Sequence, residues 1–201
     1  MQSFEPLVPG NFYHIYNKGI NGENLFKSRE NYPYFLGLLE KHIGPVAEIY
    51  AWCLIKNHFH FLLKIREIQN QRSSQQLEMN KWIDPSKAMS NLFNAYAKAI
   101  NKVYGRTGGL FETPFKRKLV NSELYLKQLV FYIHNNPVKH GFCNSMVEYP
   151  WSSYLSILSV AEDDKTMNKT IGWFNKKVDF IKFHNNHHDS KVISEYIFDD
   201  D

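Results

Sequence analysis

"AEIYAWCLIKNHFHFLLKIRE", residues 47–67, holds two runs of apolar and β-forming residues with little more than Asn57 between them. Each run has the length of a strand, and so short a connection allows only a tight hairpin or a bulged continuation. Two adjoining apolar strands predict the centre of an antiparallel sheet. In the second strand His58 and His60 stand two positions apart and share a face, while Phe59 and Phe61 point to the other. Two imidazoles side by side are a ready pair of metal ligands. The pattern alone also suits half-exposed strand residues, so a third ligand has to decide.

Working outward, "NFYHIYNKGI" (residues 11–20) reads as a strand running into the turn-rich "KGINGEN". Ser28 is a candidate N-cap for a helix whose apolar side carries Tyr34, Phe35, Leu38, Leu39, His42 and Ile43, ended by Gly44-Pro45. On the other side of the hairpin, the polar "EIQNQRSSQQLEMN" (residues 67–80) reads as a surface loop. Asp84-Pro85 then opens a helix with the stripe Met89, Leu92, Phe93, Tyr96 and Ile100, closed by "YGRTGG". "LFETPFKRKLV" (residues 110–120) is an irregular strand interrupted by Pro114, and Ser122-Glu123 opens a helix that Pro137 is expected to end.

The order β-α-β-β-α-(β)-α predicts an α+β sandwich of ferredoxin-like type, an antiparallel sheet with helices packed on one face. Residues 1–158 would form this domain. Residues 159–201 would form a C-terminal helical extension ending in a polar tail, with two short helices read after Trp151.

The chain has 201 residues and 43% hydrophobic content, enough for one domain with a sizeable core. No run reaches the roughly 18 apolar residues of a membrane span, and "MQSFEPLVPG" is not built like a signal peptide, so a cytoplasmic location is expected. Cys53 and Cys143 are far apart and outside any CxxC pattern, which argues against a cysteine zinc site or a disulfide framework. The net charge is +4, but residues 86–141 hold nine Lys and Arg against two acids, a local +7. Such asymmetry suits a polyanion ligand as well as a solvated basic face.

Within the helix after Ser122, Leu126, Leu129, Val130 and Ile133 make the buried stripe, and Tyr125, Tyr132 and Asn136 line up beside it. Tyr132 and Asn136, four apart, lie one above the other. A tyrosine flanking a core face commonly just packs, and an Asn before Pro commonly caps. "YGRTGGLFETPFKRKLV" interleaves Arg106, Lys116, Arg117 and Lys118 with Tyr104, Phe111 and Phe115. Cations for phosphates and rings for exposed bases are what single-stranded or distorted nucleic acid requires.

Taken in order, "HIYNKG", "AWCLIKNHFHFLL", "YGRTGGLFETPFKRKLV", "YLKQLVFYIHNNPVKHGFC" and "YPWSSY" resemble the REP-associated tyrosine transposases, a branch of the single-tyrosine HUH transposase superfamily (transposase IS200-like). The resemblance runs from about residue 11 to residue 158. It implies a ferredoxin-like sheet that carries the HUH pair (His, a hydrophobic residue, His) opposite a helix bearing a nucleophilic tyrosine. His58 and His60 match the pair, Tyr132 the nucleophile, and Asn136 the polar residue that completes a metal site. Tyr125 is the runner-up nucleophile. Residues 67–80 and the chain after Leu158 depart from the pattern.

The resemblance further implies Mg²⁺ or Mn²⁺ as cofactor, with nitrogen ligands favouring manganese. The implied substrate is single-stranded DNA with hairpin structure, cleaved and rejoined through a covalent 5′-phosphotyrosine by a monomer or homodimer. Arg106, Lys116, Arg117, Lys118 and Lys139 are the expected DNA-binding residues. No Walker GxxxxGK[ST] or GxGxxG occurs, in keeping with a reaction that needs no nucleotide. A tyrosine hydroxyl has an ordinary pKa of about 10, so the metal, or a water relayed by His134 or Lys139, is expected to assist loss of its proton. Two rivals remain: a non-catalytic nucleic-acid-binding relative, and a hydrolytic metallonuclease in which Tyr132 is structural. The intact set of four argues against the first, and the lack of a carboxylate near "HFH" against the second. "FHNNHHD" (residues 183–189) offers His184, His187 and His188 as a weaker second metal group.

Overall fold

The computed structural model describes residues 5–67, 83–159 and 165–186, with side chains described from residue 169 onward in the last segment. Strands β1 (Phe12–Lys18), β2 (Ala47–Ile55), β3 (His58–Ile65) and β4 (Lys116–Val120) form one sheet in the order β2-β3-β1-β4. Every neighbouring pair is antiparallel. Helix α1 (Asn31–Ile43) joins β1 to β2, and α2 (Pro85–Tyr104) lies between β3 and β4. That connectivity and strand order are the ferredoxin-like α+β arrangement read from the sequence. The β2–β3 connection is a two-residue turn at Lys56 and Asn57, which sets Ile55 opposite His58. Tyr50 is an extra residue between Ile49 and Ala51, a bulge that twists β2.

Local chemistry explains the helix ends. The Asp84 carboxylate accepts from the Ser86 N–H at 2.8 Å, Pro85 occupies the first helical position, and Gly105 closes α2 at φ 61°. α1 starts later than a Ser28 cap predicts. Asn31 Oδ1 instead accepts from the N–H groups of Lys27 and Ser28, at 2.9 and 3.0 Å, and closes the turn before the helix.

The sheet is covered on both faces rather than on one. Phe35, Leu39 and Ile43 of α1 and the α2 stripe pack with Tyr13, Ile15, Phe59 and Phe61. On the opposite face α3 (Glu123–Lys139) lays Leu126, Leu129, Val130 and Ile133 against Ala51, Cys53, Ile55 and Leu62. The apolar residues of β2 fall on both faces, so a single helical layer would leave half of them in water.

α3 does not end at Pro137. The proline forfeits only its own N–H bond, and the helix runs on to Lys139. Gly141, at φ 71°, then ends it: its N–H meets the Val138 carbonyl at 3.0 Å and the Phe142 N–H meets the Pro137 carbonyl at 2.8 Å. The two extra residues bring Asn136 fully inside the helix.

Among the described residues three α-helices follow, α4 (Ser153–Ser159), α5 (Lys165–Gly172) and α6 (Lys177–Asn186), where two were expected. Phe174 and Phe180 belong to the core under α3. Residues 68–80 of the predicted polar loop, and the polar tail beyond residue 186, lie outside the described residues. Among the described residues no helix is long and apolar enough to cross a membrane.

Candidate active site

β3 presents His58 and His60 to the face that α3 covers, and α3 answers with Tyr132 and Asn136. Asn136 Oδ1 lies 3.0 Å from His58 Nε2, and the Tyr132 ring meets His60 edge-on at 5.2 Å between centroids. The four residues separated by up to 78 positions therefore meet at one place. Tyr132 is 6% exposed and Asn136 1%. Tyr125 sits two turns earlier in α3, buried, with the Lys118 ammonium 5.8 Å from its ring. Of the two tyrosines, Tyr132 is the one packed against the histidines.

The direction of the hydrogen bonds fixes which nitrogens remain open. His58 Nδ1 stands 2.9 Å from Asn57 Oδ1, and an amide oxygen only accepts, so with the amide in this orientation Nδ1 carries a proton, and in the neutral ring Nε2 has the lone pair. That lone pair faces another acceptor, Asn136 Oδ1, while Asn136 Nδ2 is buried with no hydrogen-bond partner. Turning the amide over, an orientation assigned from its neighbours, would satisfy Nδ2 and strand Oδ1 instead. The protein alone leaves one Asn136 atom unsatisfied, and a cation shared by Nε2 and Oδ1 removes the conflict between the two acceptors. Two imidazoles and an amide oxygen suit Mn²⁺ or Mg²⁺ in mixed coordination. Among the described residues no group of three His, Cys, Asp or Glu is placed to hold a metal, so the set depends on Asn136.

His60 is held differently. Its Nδ1 lies 2.9 Å from Nε2 of His14, a buried residue of the adjacent strand β1. Burial pushes the His60 pKa well below the usual imidazole value, and His14, His58, His140 and Lys139 nearby push it the same way, so the ring is neutral. Tyr16 stacks on His14 at 4.6 Å and on His60 at 5.6 Å. Neither His14 nor His140, whose ring is 4.9 Å from that of His58, was singled out by sequence reasoning. The available signal was the alternation in "HIY", which puts His14 and Tyr16 on one face of β1.

The basic segment divides by strand periodicity. Lys116 is registered opposite Tyr16 and Lys118 opposite His14, on the site's face of the sheet. Lys139 Nζ lies 5.9 Å from the centre of the Tyr132 ring. Arg117 points to the other face, with its guanidinium 4.1 Å from the Phe115 ring and Nη1 donating to Ser86 Oγ at 3.0 Å. Arg106 forms an ion pair with Glu23 and donates to Asn101 Oδ1 at 2.7 Å, tying the end of α2 to the segment after β1. The site thus gathers Lys116, Lys118 and Lys139 but not Arg106 or Arg117.

His134 is fully buried on a different side of α3. Its Nδ1 is 3.0 Å from His184 Nε2 and its Nε2 2.8 Å from Ser153 Oγ. It is committed to the core and does not serve Tyr132. His184, read as part of a second metal group, is the other half of this pair; His187 and His188 lie outside the described residues.

No family model matches the chain, and no curated protein matches it. Among solved structures, a REP-associated tyrosine transposase bound to a REP hairpin superposes with a TM-score of 0.59 at 15% identity, over 79% of this chain and 85% of that one. The chain shares the fold of that transposase. Two structures described as a bacterial tRNA(His) guanylyltransferase-like protein, in complex with GTP and with ATP, give TM-scores of only 0.37 and 0.39 at 9% and 10% identity. They cover 69% and 83% of this chain and 71% and 72% of their own.

Proposed function

We propose that the protein is a metal-dependent single-tyrosine HUH DNA transposase or endonuclease, which cleaves and rejoins single-stranded DNA near hairpins. The observation that carries this reading is the meeting of Tyr132, His58, His60 and Asn136 between β3 and α3. The likeness of fold to a transposase bound to a REP hairpin supports hairpin DNA as the substrate class.

His58, His60 and Asn136 would hold one Mg²⁺ or Mn²⁺, which supplies Lewis-acid neutralisation of the scissile phosphate when bound. The Tyr132 hydroxyl attacks phosphorus. A bond forms from its oxygen to the 5′-phosphate as the bond to the leaving 3′-oxygen breaks, and that oxygen leaves as a 3′-hydroxyl after taking up a proton. Attack on the phosphotyrosine by another 3′-hydroxyl restores a phosphodiester and frees Tyr132, so bond energy is conserved and no nucleotide is consumed. With His134 committed elsewhere, the tyrosine proton would pass to water, and a bound cation together with the Lys139 ammonium beside the Tyr132 ring would favour the phenolate. Lys116, Lys118 and Lys139 line the approach of a phosphate backbone.

Incubation with 5′- and 3′-labelled hairpin DNA and Mn²⁺, followed by denaturing electrophoresis, tests the reading. A covalent adduct is expected with the wild-type protein, and none with Tyr132→Phe or with chelator. Cleavage without an adduct would replace it by the hydrolytic rival, and DNA binding with neither by the non-catalytic one.

A further inference from the structure

We infer that Asn57 and His14 are positioning residues that lock His58 and His60 in the same tautomer, with Nδ1–H taken up by the scaffold and Nε2 open towards α3. This rests on the proposed metal site and goes beyond its ligands. The two histidines are one residue apart on β3, yet each has its Nδ1 engaged by a different neighbour at the same distance, 2.9 Å. Asn57 does it from the β2–β3 turn, immediately before His58. His14 does it from β1, across the central strand pair, where β1 sets Tyr16 opposite His60 and His14 opposite the next residue but one, Leu62.

A neutral imidazole ligates only through the nitrogen that lacks a proton, and which one lacks it is set by the bond the other makes. For His58 the partner as oriented is Asn57 Oδ1, which can only accept, so Nδ1 donates. For His60 the partner is another imidazole, able to donate or accept. When His60 Nδ1 donates to His14 Nε2, His14 carries its own proton on Nδ1, and both strand histidines present Nε2 as a lone pair. The opposite direction would leave His60 with a proton on Nε2 and remove it from the donor set.

His14 is suited to hold that arrangement. It is 1% exposed, and its ring is stacked against His60 at 5.1 Å with 23° between planes. Tyr16 covers both rings, and Tyr132 closes on them edge-first, 5.2 Å from His60 and 6.2 Å from His14. The same buried ring therefore fixes the rotation of one ligand and packs against the proposed nucleophile.

The test is Mn²⁺ binding to the full chain without DNA, followed by electron paramagnetic resonance of the free ion, alongside ¹⁵N spectra of the histidine rings. His14→Phe keeps the ring volume and removes the acceptor; His14→Gln keeps an acceptor near the position of Nε2. Asn57→Leu and Asn57→Asp make the same contrast at the half-buried turn, where folding is less at risk than in the core. The expected result is a 10- to 100-fold weaker Mn²⁺ affinity for His14→Phe and for Asn57→Leu. His14→Gln and Asn57→Asp should remain within a few-fold of wild type. The ¹⁵N spectrum of metal-free wild type should show His60 protonated at Nδ1, and that signature should be lost in His14→Phe while Asn57→Leu retains it. Equal Mn²⁺ affinities for the acceptor-keeping and acceptor-lacking variants, or His60 protonated at Nε2 in the wild type, would overturn the inference. No Mn²⁺ binding by wild type would instead overturn the metal reading on which it rests.

Discussion

α3 carries histidine-rich clusters on two of its sides, and they are wired in opposite ways. Around His134 every ring nitrogen is spoken for: the Trp52 N–H donates to Ser153 Oγ at 2.9 Å, Ser153 pairs with His134, His134 with His184, and His184 Nδ1 donates to the Phe180 carbonyl at 2.8 Å. The chain of bonds has a consistent direction from β2 to α6 and ends on backbone. Around His58 and His60 the wiring stops short. Both Nδ1 atoms are engaged, while His58 Nε2 faces an amide oxygen and Asn136 Nδ2 has no hydrogen-bond partner. Burial keeps His60 and His134 alike neutral. Saturation marks a cluster that holds the fold together, and the unsaturated cluster beside a buried tyrosine is the one suited to hold a ligand.

Mutations should separate the two clusters. His60→Ala is expected to lower cleavage of hairpin DNA by more than about 100-fold, while retention on single-stranded DNA changes little and stability falls by about 1–3 kcal/mol through the lost bond to His14. Phe180→Ala does the reverse: it empties a fully buried position over the closed cluster and should cost about 3–5 kcal/mol in urea denaturation, with chemistry per folded molecule preserved. Comparable losses of stability from both would erase the distinction.

Acid sharpens it further. The His134 pKa lies well below its ordinary 6.5, because of burial and then of His184. The unfolded chain takes up a proton near pH 6.5 that the folded ring refuses, so the stability is complete above that pH and is lost as pH falls below it. The unfolding free energy should decline by about 1.4 kcal/mol per pH unit for each such histidine between pH 6.5 and 5, and His134→Gln should remove one such contribution from the slope. A smaller effect is expected at the sheet edge. Lys118→Ala should weaken hairpin DNA binding several-fold and reduce the slope of log affinity against log salt by about 1, whereas Arg117→Ala, on the opposite face, should leave that slope unchanged.

Much of the site was legible because the periodicities in the sequence are local. The spacing of two put His58 and His60 on one face, the spacing of four stacked Tyr132 over Asn136, and Asp84-Pro85 with Gly105 bounded α2 as read. What escaped was set by pairing between elements. His14 gains its role only through the β1–β3 register, which no stretch of residues 11–20 contains. Arg117 was grouped with Lys116 and Lys118 by proximity in sequence, although strand alternation sends it to the α2 face. The helix end expected at Pro137 failed because one missing N–H costs less than the packing of α3 and the Gly141 terminus return. His134 and His184 are fifty positions apart, and nothing in either neighbourhood announces their bond.

The central claim is that Tyr132, among the tyrosines of α3, forms the bond to DNA. Trypsin separates the two candidates, since cleavage after Lys118, Lys127 and Lys139 leaves Tyr125 on the peptide of residues 119–127 and Tyr132 on that of residues 128–139. Mass spectrometry of the Mn²⁺-dependent adduct, digested with nuclease and trypsin, is predicted to find the 5′-nucleotide remnant on the 128–139 peptide, with fragment ions assigning it to Tyr132. A remnant on the 119–127 peptide, or cleaved DNA with no remnant on either, would contradict the account.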